Sequence, residues 1–135
     1  MTPYRAMLDT NIVSDMVRHP QGRAVARLAA YGDAGVCASI ITVAELRYGC
    51  ARKGSARLLT QVETVLAGID ILPFDVPADA EYGRLRAELE AIGRPIGSND
   101  LFIAAHARSL RVTLVSANLG EFRRVRGLNV ENWLE

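Results

Sequence analysis

The chain alternates short apolar runs with longer segments of helical periodicity, and this alternation constrains its fold more than any other feature. Parallel strands need crossover connections of a dozen or more residues, usually a helix, whereas antiparallel strands can be joined by short turns. The alternation therefore predicts an α/β fold, in which a short parallel sheet is flanked by helices on both faces. We expect strands over residues 4–8, 36–40, 69–74 and 112–115, with a short edge strand at 128–130.

Helices are predicted between these strands from apolar residues that recur at helical spacing. In one of them, Leu58, Val62 and Leu66 lie four residues apart, which places them on one face. Gly54 and Ser55 mark the break before this helix, and Ser55 is its predicted N-cap. The other helices are expected over residues 11–19, 23–31, 43–48, 77–92 and 100–110, the last opened by Ser98.

Composition limits the chain to one ordinary globular domain. It has 135 residues, of which 50% are hydrophobic and 23% are charged, so disorder is excluded and a core can form. No apolar run approaches the roughly 20 residues that a membrane span needs, and the first residues lack the apolar region of a signal peptide. Cys37 and Cys50 form no CxxC motif, which argues against zinc and disulfide frameworks. We therefore expect one domain over residues 1–135, located in the cytoplasm.

Three acidic residues occupy positions where a parallel sheet binds its ligands. Asp9 comes just after the first predicted strand, Glu45 lies in the first turns of the helix after the second, and Asp100 lies in the first turn of a later helix. Because ligands bind beyond the carboxyl ends of parallel strands, these acids can converge at one edge of the sheet. Each acid also fits a turn, a cap or a solvated helix position, and spacing does not decide between these interpretations.

Sequence motifs around these acids favour the functional interpretation. They are MLDTN at 7–11, SIITVAELRYG at 39–49, GRPIGSNDLFIAAHAR at 93–108 and LVSANLGEF at 114–122, followed by VRGL at 125–128 and ENW at 131–133. In this order, and over nearly the whole chain, the motifs resemble those of PIN-domain ribonucleases. Within that family the chain resembles the VapC-like toxins of bacterial toxin–antitoxin pairs.

The resemblance implies a divalent-metal-dependent endoribonuclease in which Asp9, Glu45 and Asp100 are the acidic site residues. We hypothesise that Asp9 and Asp100 bind Mg²⁺, or Mn²⁺ in its place, and that Glu45 completes the shell or orients the attacking water. Mg²⁺ suits these positions because it prefers oxygen ligands and often binds through one or two carboxylates and phosphate oxygens. The implied products carry 5′-phosphate and 3′-hydroxyl ends, and tRNA is the substrate expected at the level of the family.

The chain departs from many PIN domains at a fourth acidic position, where it carries Asn118, as many VapC-like members do. The missing charge weakens the argument for a second metal ion. Asn118 is instead a candidate to hydrogen-bond a substrate phosphate or a metal-bound water. Glu121, three residues further on, is a candidate to compensate for the missing charge and equally a candidate solvated surface residue, and we favour the second interpretation.

Small polar residues beside the acids have two open interpretations. Thr10, Asn11 and Ser98 are candidates to support the acids or contact phosphate, and equally candidates to cap helices. We favour capping for Ser98 and leave both interpretations open for Thr10. Asn11 is expected to orient Asp9, whereas His106 is expected to pack in the interior rather than bind metal.

The second half of the chain is divided by charge, although the whole chain carries a net charge of only +1. Residues 70–90 are acidic and residues 91–130 are basic. Arginine suits contacts with backbone phosphates, so the basic stretch is the candidate RNA-facing surface, with Arg108, Arg123, Arg124 and Arg126. An alternative is that these arginines pair with the acidic part of another subunit. The resemblance also implies a homodimer and a VapB-like antitoxin whose tail covers the site.

Three competing interpretations make different demands on the sequence. A receiver domain would need adjacent acids after the first strand and a lysine after the last, yet Asp9 stands alone and Lys53 is misplaced. A haloacid-dehalogenase-type phosphatase would need a second acid where Asn11 stands. A catalytically weak PIN-like module that binds RNA or a partner protein is opposed by the retention of all three acids.

Overall fold

The computed structural model describes residues 3–32 and 35–135, and this part of the chain contains one five-stranded sheet. The strands are β1 Ala6–Leu8, β2 Val36–Ser39, β3 Asp70–Leu72, β4 Thr113–Val115 and β5 Val130–Glu131. Neighbouring strands pair in parallel in the spatial order β3-β2-β1-β4-β5. The predicted parallel sheet is therefore confirmed, including an edge strand near residue 130.

Seven helices accompany these strands in the described residues. They are α1 Thr10–Arg18, α2 Arg23–Tyr31, α3 Ile40–Lys53, α4 Ala56–Leu66, α5 Ala78–Ala91, α6 Ser98–Leu110 and α7 Leu119–Phe122. The break predicted between α3 and α4 is confirmed, because Gly54 ends α3 with a left-handed φ of 63°, which glycine adopts without steric cost. Ser55 caps α4, since its hydroxyl accepts a hydrogen bond from the Leu58 backbone N–H at 3.1 Å.

The sheet separates two hydrophobic cores, because successive residues of a strand point to opposite faces. Ala6 and Leu8 of β1 pack into the first core with buried residues of α1 to α4. Met7 packs into the second core with buried residues of α5 to α7. Trp133, just beyond β5, is fully buried in the first core. Helices therefore cover both faces of the sheet, as predicted.

β1 and β3 are two and three residues shorter than their apolar runs predict, and β2 and β4 are each one residue shorter. The run 4–8 includes Tyr4, which lies outside β1 and whose hydroxyl donates a hydrogen bond to a carboxylate of β3 at 2.9 Å. The run 69–74 includes Phe74, whose ring leaves the sheet and packs edge-on against Phe102 of α6, with centroids 5.4 Å apart. Aromatic side chains beside a strand can thus be partly buried without joining its hydrogen-bond ladder.

The strand order creates a crevice at one point of the sheet. From β1 the chain proceeds outward to β2 and β3, and then crosses back to β4 and β5 on the other side of β1. In such sheets the crevice opens beyond the carboxyl ends of the two strands between which the direction reverses, here β1 and β4. Asp9 follows β1 directly and Ser116 follows β4 directly, so both lie at this crevice.

Both cysteines lie in the interior of the fold. Cys37 and Cys50 are both free and buried. Burial, with a further contribution from the charge of Asp70, raises the pKa of the Cys37 thiol to about 12, so this thiol stays protonated at neutral pH.

Among the described residues, no helix combines the length and the apolar character needed to cross a bilayer.

His106 joins α6 to the start of α3. Its imidazole is buried, and its Nδ1 lies 2.8 Å from the hydroxyl of Ser39, which is the N-cap of α3. The ring also packs edge-on against Phe74, with centroids 5.5 Å apart. His106 therefore packs between elements of the fold, as predicted.

Burial lowers the pKa of His106 below the ordinary 6.5, so the folded protein binds this proton less readily than the unfolded chain does. We expect this group to leave the free energy of unfolding intact above about pH 6.5. As the pH falls further, the free energy of unfolding should decrease by up to about 1.4 kcal/mol for each pH unit, until the imidazole of the folded protein also takes up a proton. Urea titrations between about pH 5 and pH 7.5 measure the slope. His106→Asn removes the titrating group and should reduce the slope; equal slopes in both proteins would contradict the prediction.

Candidate active site

Asp9 is fixed in the crevice by three donors. It is the N-cap of α1 and only 3% exposed, and its Oδ1 accepts a hydrogen bond from the Thr10 backbone N–H at 2.8 Å. Its Oδ2 accepts bonds from the Ser116 hydroxyl at 2.8 Å and from the Asn11 amide at 3.3 Å. Burial raises the pKa of Asp9 although these donors oppose the rise, so a nearby cation would favour its charged form.

Asn11 ties together the segments that follow β1 and β4. Besides donating to Asp9, its side-chain oxygen accepts a hydrogen bond from the Ala117 backbone N–H at 3.0 Å. The contact between Asn11 and Asp9 is the one that the sequence predicts. Ser116 is not among the residues predicted from the sequence, although its position directly after β4 matches that of Asp9 after β1.

Glu45 accepts hydrogen bonds from two directions. It lies in α3 and accepts the Thr10 hydroxyl on Oε1 at 2.5 Å and the Asn99 amide on Oε2 at 3.1 Å. The Thr10 side chain therefore supports an acid, whereas the cap of α1 is Asp9. Asn99 is not predicted as a site residue, because the local sequence does not show that the start of α6 lies beside α3.

Asp100 lies in the first turn of α6, where the helix dipole favours a carboxylate. The Asn118 amide donates to Asp100 Oδ2 at 3.3 Å and to Glu121 Oε2 at 3.2 Å, so it bridges two carboxylates. The Asn118 backbone N–H bonds to the Ser116 hydroxyl oxygen at 2.9 Å, and Ser116 in turn donates to Asp9. Asn118 therefore lies among the acids of the crevice.

Glu121 is not the solvated surface residue that the sequence predicts. The one-turn helix α7 carries it against Asp100, with which it shares a hydrogen bond. Burial, this hydrogen bond and repulsion by neighbouring carboxylates raise the pKa of Asp100 to about 7, while the same hydrogen bond lowers the pKa of Glu121. A cation bound beside Asp100 would favour the charged form of this carboxyl.

Ser98 does not cap α6, so the capping role predicted for it is wrong. Gly97 occupies the N-cap position, with the extended backbone angles φ −59° and ψ 153° that a cap adopts. Ser98 is the first residue of the helix proper and is exposed. Its hydroxyl therefore remains a candidate to contact substrate.

Arg108 is engaged within the chain rather than presented on an open surface. Its side chain is 13% exposed and forms ion pairs with Glu81 at 2.6 Å and with Glu88 at 3.0 Å. It also donates to the Arg126 backbone carbonyl at 2.9 Å. Two glutamates of the acidic stretch 70–90 in the same chain thus neutralise the charge of Arg108. Arg108 is therefore no longer a candidate for the RNA-facing surface.

The other three candidate arginines lie just after α7. Arg123 and Arg126 are exposed, whereas Arg124 is half-buried and donates to the Pro95 carbonyl at 2.9 Å. The segment 123–126 therefore presents two exposed cationic side chains at the surface.

The described residues contain no group of three His, Cys, Asp or Glu side chains placed to hold one metal ion. The expected shell of three carboxylates is therefore not preformed. The acids nevertheless interact, because repulsion from Asp9 and Glu45 adds to burial and to the Glu121 hydrogen bond in raising the pKa of Asp100. Hard divalent cations prefer such carboxylate oxygens and often use only one or two of them alongside water and phosphate. The donor set therefore fits a cation bound by two carboxylates.

Comparison with known families agrees with this geometry. The family model described as PIN domain matches residues 6–128, a range that includes all three acids and both strands of the crevice. The chain belongs to the PIN-domain family. Nucleases of this family generally depend on a divalent metal ion. The receiver-domain and phosphatase interpretations are thereby excluded.

Two relatives and one solved structure show which members resemble this PIN domain. Ribonuclease VapC2 from Haemophilus influenzae is 42% identical over 95% of this chain and 97% of its own length. The tRNA(fMet)-specific endonuclease VapC from Shigella flexneri is 38% identical over 94% of this chain and 96% of its own length. A chain of the DNA-bound VapBC structure from Salmonella typhimurium is 34% identical and superimposes with a TM-score of 0.89, over 96% of this PIN domain and 98% of that chain. The resemblance to VapC proteins is confirmed.

Proposed function

We propose that this PIN domain, formed by residues 1–135, is a VapC-type endoribonuclease and the toxin of a toxin–antitoxin pair. One observation carries the proposal: a hydrogen-bond network at the crevice connects acids from distant segments of the chain. Asp9 connects through Ser116 and Asn118 to Asp100, and Glu45 is bonded to a chain neighbour of each of these two acids. The names of the ribonuclease and endonuclease relatives support the same activity.

Asp9 and Asp100 are the residues that would hold Mg²⁺, with Mn²⁺ as a substitute. When bound, the ion polarises the scissile phosphate and promotes ionisation of the attacking water. Glu45 is assigned to orient that water, since each of its oxygens accepts one protein hydrogen bond and keeps a second lone pair. Ser116 and Asn11 hold the Asp9 carboxylate in one orientation. Cleavage would leave 5′-phosphate and 3′-hydroxyl ends.

The substrate proposed is structured RNA, with tRNA as the first candidate because the Shigella flexneri relative is named as a tRNA endonuclease. Arg123 and Arg126 supply exposed charge for backbone phosphates, with Arg124 beside them. Asn118 and the exposed Ser98 are assigned to contact a phosphate of the RNA. A neutral amide at position 118 supplies no charge for a second metal ion.

The partner proposed is a VapB-like antitoxin, because a close structural neighbour is part of a VapBC complex. We also propose a homodimer as the form in which the antitoxin is bound. We also propose a cytoplasmic location, where the chain would meet an RNA substrate.

The proposed activity is tested by mapping RNA ends in cells that express either the wild-type chain or the Asp100→Ala variant. We expect new 5′-phosphate ends at defined positions of one or a few RNAs with the wild type only. Far-ultraviolet circular dichroism should show that the variant is folded. Identical end maps for the two folded proteins would remove the proposed active site.

A non-catalytic module that binds RNA or a partner protein is the second candidate function. It is favoured by the finding that the described residues hold no preformed three-ligand metal group. Chelation separates the two candidates in a purified system. The nuclease stops cleaving RNA in EDTA and resumes when Mg²⁺ is added in excess, whereas the module binds equally in both conditions and cleaves in neither.

A further inference from the structure

The Glu45 carboxylate is held from two sides by the chain neighbours of the other two acids. Thr10, which follows Asp9, donates its hydroxyl to Oε1 at 2.5 Å, and Asn99, which precedes Asp100, donates its amide to Oε2 at 3.1 Å. Glu45 is therefore tied to both other acids through side chains one residue away from them. Thr10 is already a candidate to support the acids, whereas Asn99 has no role in the reaction proposed so far.

Glu45 needs such donors because it lies among like charges. Its negative charge contributes to the raised pKa of both Asp9 and Asp100, although burial is the largest cause in each. Glu45 itself is half-buried, so part of its side chain remains accessible to water. A flexible carboxylate in that position gains by turning away toward water unless hydrogen bonds retain it.

The chemistry of an asparagine suits this task. Its amide N–H donates to one Glu45 oxygen without neutralising the charge, which an arginine or lysine would do. Its backbone is fixed in the first turn of α6, immediately before Asp100, so the donor moves with the acid that it serves. Its side chain is exposed, which means that the contact with Glu45 is not imposed by burial.

We propose that Asn99 is a positioning residue of the nuclease, which holds Glu45 toward Asp9 and Asp100 through its amide. This inference rests on the proposed function and adds to it one residue that acts through Glu45. Thr10 fixes the opposite oxygen, so the carboxylate is constrained at both ends. The distance between α3 and the start of α6 is thereby coupled to the orientation of Glu45.

Steady-state cleavage of a labelled RNA tests the inference in the full chain. Asn99→Ala should lower kcat about tenfold and leave KM for RNA nearly unchanged, since loss of a residue that orients a ligand typically costs ten- to a hundredfold. Asn99→Asp should lower kcat further, because it places a carboxylate against Glu45. Asn129→Ala is the matched control, since Asn129 is also exposed but lies at the amino end of β5, at the opposite edge of the sheet. The control should retain wild-type kcat, and all three variants should keep the wild-type melting temperature.

Mn²⁺ titration without RNA gives a second readout that does not depend on cleavage. The Glu45 charge acts on both Asp9 and Asp100, which would hold the ion, so calorimetry should show weaker Mn²⁺ binding in Asn99→Ala, where Glu45 can turn away, than in the wild type. The same substitution should cause no further weakening in Glu45→Gln, where that charge is already absent. A rise in KM with unchanged kcat, or a full effect of Asn99→Ala in the Glu45→Gln background, would overturn the positioning role. Absence of RNA cleavage by the wild-type chain would instead overturn the proposed function, and the Mn²⁺ cycle would still decide the role of Asn99.

Discussion

Asp100→Asn is expected to slow RNA cleavage at least about a thousandfold, since the charge stabilisation that a metal ion gives a phosphoryl group is worth several kcal/mol and each 1.4 kcal/mol is a factor of ten. The substitution keeps the shape of the side chain and removes its charge. It leaves an amide between Asn118 and Glu121, both of which can still form hydrogen bonds with it. We therefore expect the cleavage rate to fall while the variant remains folded.

Single-turnover cleavage of a labelled RNA, at enzyme concentrations that saturate the substrate, measures this rate directly. Asp79→Asn is the matched control, because Asp79 is also an acid in the first turn of a helix but lies at the start of α5 and is exposed. The control should cleave at the wild-type rate. If Asp100→Asn and the control cleave equally fast, Asp100 has no part in the reaction.

Trp133→Ala is expected to lower the free energy of unfolding by about 3–5 kcal/mol, which is the usual cost of removing a large buried aromatic side chain. Trp133 is 0% exposed and packs against Tyr31 of α2, with ring centroids 5.1 Å apart. Its Nε1 donates to Glu131 of β5 at 3.3 Å, and the Arg27 guanidinium lies 5.8 Å from its ring. The side chain thus joins the edge of the sheet to a helix that is distant in sequence.

Urea denaturation followed by circular dichroism gives the stability of this variant. A domain of this size is typically stable by only about 5–15 kcal/mol. At 37 °C a large fraction of Trp133→Ala should therefore be unfolded before urea is added, which reduces the height of its cooperative unfolding transition. Trp133→Phe keeps an aromatic ring in the same cavity and should be less destabilised. A loss below about 1 kcal/mol in Trp133→Ala would show that the cavity collapses without cost, contrary to the packing described.

The order of strands and helices could be predicted because it depends on local periodicity. The second helix begins and ends where the sequence predicts, at Arg23 and Tyr31. The ends of the strands could not be predicted as well, since an apolar run does not show where pairing stops. Phe74 illustrates the point, because its ring is used against α6 rather than in the sheet.

The acids of the candidate site were predictable because each lies within a sequence motif or beside a strand end. Ser116, Asn99 and Glu121 were missed or misjudged because their roles depend on how α6 and α7 pack against the crevice. Arg108 was misjudged for a similar reason. A sequence shows that one stretch is acidic and another basic, but only the packing of α5 against α6 shows that Glu81 and Arg108 meet.

The position of β4 also determines when the candidate site can form during synthesis of the chain. This strand lies between β1 and β5, yet it is translated after almost all the rest of the sheet. A nascent chain that has left the ribosome only as far as Asp100 lacks the hydroxyl and amide that connect Asp9 to Asp100. A chain that ends before β4 therefore cannot form the hydrogen-bonded path from Asp9 to Asp100, so the candidate site assembles only when the last part of the sheet is in place.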